Sequence, residues 1–138
     1  MDSRPEPLRA LIVDDEEEFV HALSERLRLR GIDASGATTG QEALDLVRKA
    51  SFDVVLLDVR MPGLGGLKII EGIKAAFPNL PVVLLTGHGS TQDAEKGMHL
   101  GAYDYLMKPV DIDDLVRILA AAAEGRAYGA PDAEDAAR

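Results

Sequence analysis

The chain has 138 residues, 46% of them apolar, and a formal net charge of -9. That size suits one domain with a real core and is small for two, and the acidic balance disfavours direct nucleic-acid binding, which needs a basic surface. With no cysteine, and with apolar runs of about six residues against the ~20 of a spanning helix, disulfide frames, thiolate metal sites and membrane helices are excluded.

Residues 1–7 are polar, hold two prolines and read as a flexible arm. No apolar signal segment follows the start MDSRPEPLRA, so a cytoplasmic location is the default expectation. Residues 8–13, LRALIV, predict a first strand. Five acids run from Asp14 to Glu18, after which Phe19, Leu23 and Leu27 recur every four residues. That spacing predicts an amphipathic helix, ended by Gly31. Ile32–Ser35 is a weaker strand. Thr39 with Glu42 has the spacing of a capping box, and Ala43, Leu44 and Val47 give the second helix its inward face. The third strand is Phe52–Asp58. Gly65–Phe77 predicts a helix with Leu67, Ile70, Ile73 and Phe77 as its spine. Pro81–Leu85 is a strand, Ser90–Leu100 a short helix and Ala102–Leu106 a fifth strand. Gly97 within the short helix weakens it by about 1 kcal/mol relative to alanine, which suits a mobile element. Asp111 opens the last helix, with Leu115, Val116, Ile118, Leu119 and Ala122 facing inward. The folded domain is thus expected over 8–124, with 125–138 a disordered tail or the stub of a linker.

Strict alternation of strand and helix, with apolar runs such as VVLL instead of alternating residues, predicts parallel strands covered on both faces. The predicted class is α/β, a doubly wound five-stranded sheet. Ligands of such sheets sit beyond the carboxyl ends of the strands, where the strand order reverses. At those ends stand Asp14 and Asp15, then Asp58, then Thr86, Gly87 and His88, then Lys108 and Pro109. One rim thereby gathers three carboxylates, a hydroxyl and an ammonium. Close carboxylates repel one another, and hard oxygen donors without Cys or His favour Mg2+, with Mn2+ as substitute. The chemistry this suggests is phosphoryl transfer onto Asp58, an ordinary ionised carboxylate at neutral pH that forms an acyl phosphate. Lys108 and the cation would neutralise the phosphoryl oxygens, and Thr86 would donate a hydrogen bond.

Plainer readings stand beside this one. Asp14, Asp15 and Glu16 can cap the first helix, Thr86 can be a cap, Lys108 a solvated lysine and Tyr105 half-buried core. Gly63, Gly65 and Gly66 are too irregular for a dinucleotide loop, and no phosphate-binding Walker pattern is present. Leu57-Asp58-Val59-Arg60 lacks the second carboxylate of a DxD phosphatase motif. His21 and His99 occupy ordinary helix positions.

Taken together, Asp14-Asp15, Asp58 in LLDVRMPGLGG, Thr86 in LLTGHGS and Lys108-Pro109 in LMKPVD resemble the receiver domain of bacterial two-component response regulators. The resemblance covers about residues 8–124. It implies a flavodoxin-like (βα)5 sandwich with strand order 2-1-3-4-5. It further implies that Asp58 accepts a phosphoryl group from the phosphohistidine of a sensor kinase or phosphotransfer protein, without turnover of a separate substrate. Asp15, Asp58 and the Arg60 carbonyl would ligate Mg2+, with Asp14 helping directly or through water. Tyr105 matches an aromatic switch position that responds to Thr86, and Arg60 and His88 match positions that tune phosphoryl loss. The surface of the fourth helix, fifth strand and fifth helix would change. It would meet a downstream protein, an output domain beyond this segment or a second copy in a homodimer. Two other readings remain open at this point: a degenerate, phosphorylation-independent interaction domain, and a Mg2+-dependent phosphohydrolase. The LLTGHGS and YDYLMKP segments are similar to receivers of nitrogen-regulation and dicarboxylate-transport activators.

Overall fold

Strands and helices alternate throughout: β1 (Arg9–Val13), α1 (Glu17–Leu29), β2 (Asp33–Ala37), α2 (Gly40–Lys49), β3 (Val54–Asp58), α3 (Gly66–Ala76), β4 (Val82–Thr86), α4 (Thr91–His99), β5 (Asp104–Met107) and α5 (Ile112–Ala127). This is a computed structural model, and it describes residues 7–61, 65–87 and 91–127. The five strands form one parallel sheet in the order β2-β1-β3-β4-β5, the flavodoxin-like arrangement. The order reverses between β1 and β3, so the crevice of a doubly wound sheet falls between their carboxyl ends.

The consecutive apolar runs have the expected cause. Alternate residues of β1, β3 and β4 enter two separate cores. Leu11, Val13, Val55, Leu57 and Leu84 pack with Ile69, Ile70 and Ile73 of α3 on one face. Ala10, Ile12, Val54, Leu56, Val83 and Leu85 pack with Leu27 of α1 and Leu115 and Leu119 of α5 on the other. Every residue of β3 and β4 is buried, as covering both faces requires.

Local signals set the helix ends. Gly31 adopts φ 84°; its N–H donates to the Arg28 carbonyl and the Ile32 N–H to the Leu27 carbonyl. That double closure is a Schellman motif, which glycine adopts without steric cost. The Thr39 hydroxyl accepts the Glu42 N–H at 3.1 Å. Glu42 reaches back to the N–H of Thr38, one residue before the capping-box position.

Several expectations shift. The second strand lies at Asp33–Ala37, and α5 continues to Ala127, past the loss of apolar periodicity at Glu124. Phe77 is the C-cap of α3 and 37% exposed, whereas Ile69 is a fully buried member of the spine. Gly97 also has a different meaning. A Cβ there would lie 2.4 Å from Leu84 Cδ1 and 3.3 Å from Ile70 Cδ1. It is a contact glycine that lets α4 sit close on β4.

Candidate metal and phosphoacceptor site

Strand register builds the site. Val13 is paired with Leu57, so the chain leaves β1 and β3 at one level and Asp14 and Asp58 stand side by side. Asp58 is paired with Leu85, and Thr86 with Met107. Lys108 therefore emerges on the same rim, its N–H donating to the Thr86 carbonyl at 2.8 Å. The Lys108–Pro109 peptide is cis. The five residues named for the rim thus come from four strand ends, as the topology rule requires.

Asp14 is fully buried, Asp58 is 7% exposed and Asp15 faces solvent. One carboxylate oxygen from each lies within 4.8 Å of the other two. The Lys108 ammonium is 2.7 Å from Asp14 Oδ2, 3.5 Å from Asp58 Oδ2 and 3.7 Å from Glu16 Oε1. In this resting arrangement the lysine belongs first to Asp14 and only loosely to Asp58. The other oxygens are held by backbone: Asp14 Oδ1 accepts the Glu16 N–H at 3.0 Å, and Asp58 Oδ1 accepts the Arg60 N–H at 2.9 Å. Both are Asx turns, which start the chain's exit from the strand while fixing the carboxylate plane.

Burial pushes the Asp58 carboxyl above its ordinary value, the Asp14 charge adds to this, and the Arg60 N–H and Lys108 oppose it. An ordinary Asp58 is thus not what the site contains. Burial alone would lower Lys108, but its hydrogen bond to Asp14 and the charges of Asp14 and Asp58 outweigh that and raise it. Among the described residues, a cluster of three carboxylates and one ammonium with no soft donor fits a small hard divalent cation such as Mg2+ or Mn2+. A bound cation would supply the missing positive charge.

Thr86 ends β4 on the rim and is 2% exposed. Tyr105 lies on the outward side of edge strand β5, 42% exposed. His88 lies outside the described residues. Three participants escaped the sequence reading. Glu16 and Phe19 touch the Lys108 ammonium, the latter with its ring centroid 4.6 Å away. Gly66 lies close against the backbone of Asp58 and Val59: a Cβ there would meet the Val59 carbonyl oxygen at 2.6 Å and the Asp58 carbonyl oxygen at 2.8 Å.

A doubly wound sheet with a metal-ready acidic triad and a lysine at its switch point defines an α/β domain suited to phosphoryl chemistry on a carboxylate. A family model for the response regulator receiver domain matches residues 10–120, and the chain belongs to that family. It is 37% identical over 107 residues to the regulatory protein AtoC of Escherichia coli (strain K12), covering 78% of this chain and 23% of that protein. It is 38% identical over 110 residues to the DNA-binding transcriptional regulator NtrC of Klebsiella pneumoniae, covering 80% of this chain and 24% of that protein. The chain therefore spans about a quarter of the length of these relatives. Among solved structures, a receiver domain protein from Clostridium thermocellum superposes with a TM-score of 0.84 at 32% identity, over 88% of this chain and 98% of that one. The NtrX receiver domain from Brucella abortus gives 0.79 at 32% identity, over 83% and 98%. Among the described residues no helix is long and apolar enough to cross a membrane.

Proposed function

We propose that this domain is a phosphorylation-driven signalling module in which Asp58 is the phosphoacceptor. The observation that supports it most is the setting of Asp58: a buried carboxylate clustered with those of Asp14 and Asp15, with Lys108 close but bonded more tightly to Asp14. The donor is the phosphohistidine of a sensor kinase or phosphotransfer protein. Asp58 Oδ2 attacks phosphorus, the P–N bond breaks, and the imidazole nitrogen keeps the electron pair and takes a proton from solvent. An acyl phosphate remains on Asp58. The Arg60 N–H on Oδ1 holds the carboxylate plane so that Oδ2, held only loosely by Lys108, is the nucleophile. Lys108 moves toward the phosphoryl oxygens and Thr86 donates to one of them. Asp14, Asp15, Asp58 and the Arg60 carbonyl would hold Mg2+ or Mn2+, which when bound neutralises charge on the transferring group. The attack of water on the acyl phosphate is the domain's own return step, tuned by Arg60 and His88.

A phosphoryl group adds roughly -1.5 to -2 charge. Drawing Thr86 inward shifts the end of β4, and the exposed Tyr105 ring can then turn in. The surface of α4, β5 and α5 changes with it. It presents the switch to a downstream protein, to an output domain of a longer chain or to a second copy. The test is mass spectrometry after incubation with a phosphoryl donor and Mg2+. The wild type gains one phosphate and Asp58→Asn gains none; equal labelling of both removes the proposal. Beryllofluoride should move the NMR resonances of α4 and Tyr105.

A further inference from the structure

The Lys108 ammonium is enclosed on unequal terms. Asp14, Asp58 and Glu16 offer oxygens to it. The face of the Phe19 ring also covers it, its centroid 4.6 Å from Nζ. Phe19 stands in the first turns of α1 and is half-buried, backed by the cluster that joins α1, α5 and the sheet. It has a firm support behind it and a cation in front. A ring attracts a cation lying over its face within about 6 Å of its centroid, whereas a hydrogen bond weakens steeply with misalignment. An ammonium can therefore slide across an aromatic face at small cost while water is kept from that side.

We propose that Phe19 is a positioning residue for Lys108: its ring face confines the ammonium beside Asp14 at rest and serves as the track along which it moves to Asp58 when a phosphoryl group arrives. The inference rests on the phosphoacceptor reading of Asp58. Leucine would fill much of the same apolar space without the ring's electrostatic face, and this separates positioning from mere packing. The nearest contact of Lys108 is with Asp14, so transfer of the ammonium has to occur during phosphorylation. Loss of the track slows that step.

The test uses the full chain, acetyl phosphate as the probe donor, and Mg2+. In the wild type, ring current shifts the Lys108 ε-methylene protons upfield; in Phe19→Leu that shift disappears. The phosphorylation rate of Phe19→Leu falls about five-fold, while Mg2+ affinity stays at the wild-type value. Phe19→Trp recovers the rate to within about two-fold. A wild-type rate in Phe19→Leu overturns the inference, as does an absent ring-current shift in the wild type. So does a loss of Mg2+ affinity that parallels the loss of rate, or a Phe19→Trp as slow as Phe19→Leu. A wild-type chain that takes no phosphoryl group at all brings down the phosphoacceptor reading and this inference together. A labelled wild type with an equally fast Phe19→Leu sinks only the role of Phe19.

Discussion

Asp58→Asn should make the metal-free protein more stable at neutral pH. Asparagine keeps the acceptor that the Arg60 N–H uses, so the turn after β3 survives. It removes a charge from a site that, among the described residues, clusters three carboxylates beside one ammonium. At an effective dielectric of 20, two charges at the 4.8 Å outer limit of the cluster interact by about 3 kcal/mol, which sets the scale of the repulsion from buried Asp14. Exposed Asp15 adds about 1 kcal/mol through water. The attraction to Lys108 at 3.5 Å is about 5 kcal/mol on the same scale. These contributions nearly cancel, so the cost of burying the Asp58 charge decides the sign. Lys108 keeps its 2.7 Å partner Asp14 and is not orphaned by the substitution. The expected gain is about 1–2 kcal/mol, or about 5 °C in Tm for a domain of this size.

The pH dependence follows from the direction of the shift. A folded-state value raised above 3.8 means that the wild-type carboxyl favours folding below 3.8 and loses that advantage as pH rises through its folded value. The gap in Tm between variant and wild type is therefore full at neutral pH and closes as the pH is lowered toward 3.8. Saturating Mg2+ should reverse the order, since ligand at 100 times its Kd stabilises by about 2.7 kcal/mol and the variant has lost one carboxylate. Calorimetric melts in EDTA and in Mg2+, at several pH values, measure all of this. An Asp58→Asn variant that melts at or below the wild type in EDTA at pH 7 refutes the charge argument.

Lys108→Met should lower metal-free stability by about 3 kcal/mol, because it leaves fully buried Asp14 without its ammonium; urea unfolding with and without Mg2+ checks this, and an unchanged midpoint contradicts it. Gly66→Ala drives a Cβ into the backbone of Asp58 and Val59. It should cost about 2 kcal/mol and weaken Mg2+ binding, with wild-type affinity in a calorimetric titration as the refuting result. Gly97→Ala should destabilise despite the ~1 kcal/mol that alanine adds to a helix, because Leu84 must move. In a Leu84→Val background the same change should cost less, and an equal cost in both backgrounds rules out the contact.

The acidic rim was legible because parallel strands end at one level. Once β1, β3, β4 and β5 were placed, Asp14, Asp58, Thr86 and Lys108 had to share an edge. Local chemistry was legible for similar reasons, as Gly31 and the Thr39 cap show, each acting within a few residues. Pairings set by side-chain direction were not. Phe19 reads as one more apolar residue of α1, and nothing near it in sequence announces a lysine 89 positions later. Gly97 reads as a weak spot because propensity is a local property, whereas its purpose is the distance between α4 and Leu84. Asp58 reads as an ordinary carboxylate, since its burial is a tertiary property that no neighbouring residue in the sequence announces.

The departures at Asp58 and Phe19 bear on how the proposed switch would work. Among the described residues the carboxylates of the site outnumber its close ammonium groups, and Lys108 lies nearer Asp14 than the proposed phosphoacceptor Asp58. Asp58 Oδ2 is left weakly held at 3.5 Å while Oδ1 is fixed. Asp14, Asp15 and Asp58 would hold a cation whose charge would offset their mutual repulsion. On the phosphoacceptor reading, the repulsion that lowers stability would favour metal binding and leave Lys108 to move when Asp58 is phosphorylated. A site relaxed at rest, with Lys108 equally shared, would bind metal more weakly and would have no displaced charge to return when Asp58 is modified.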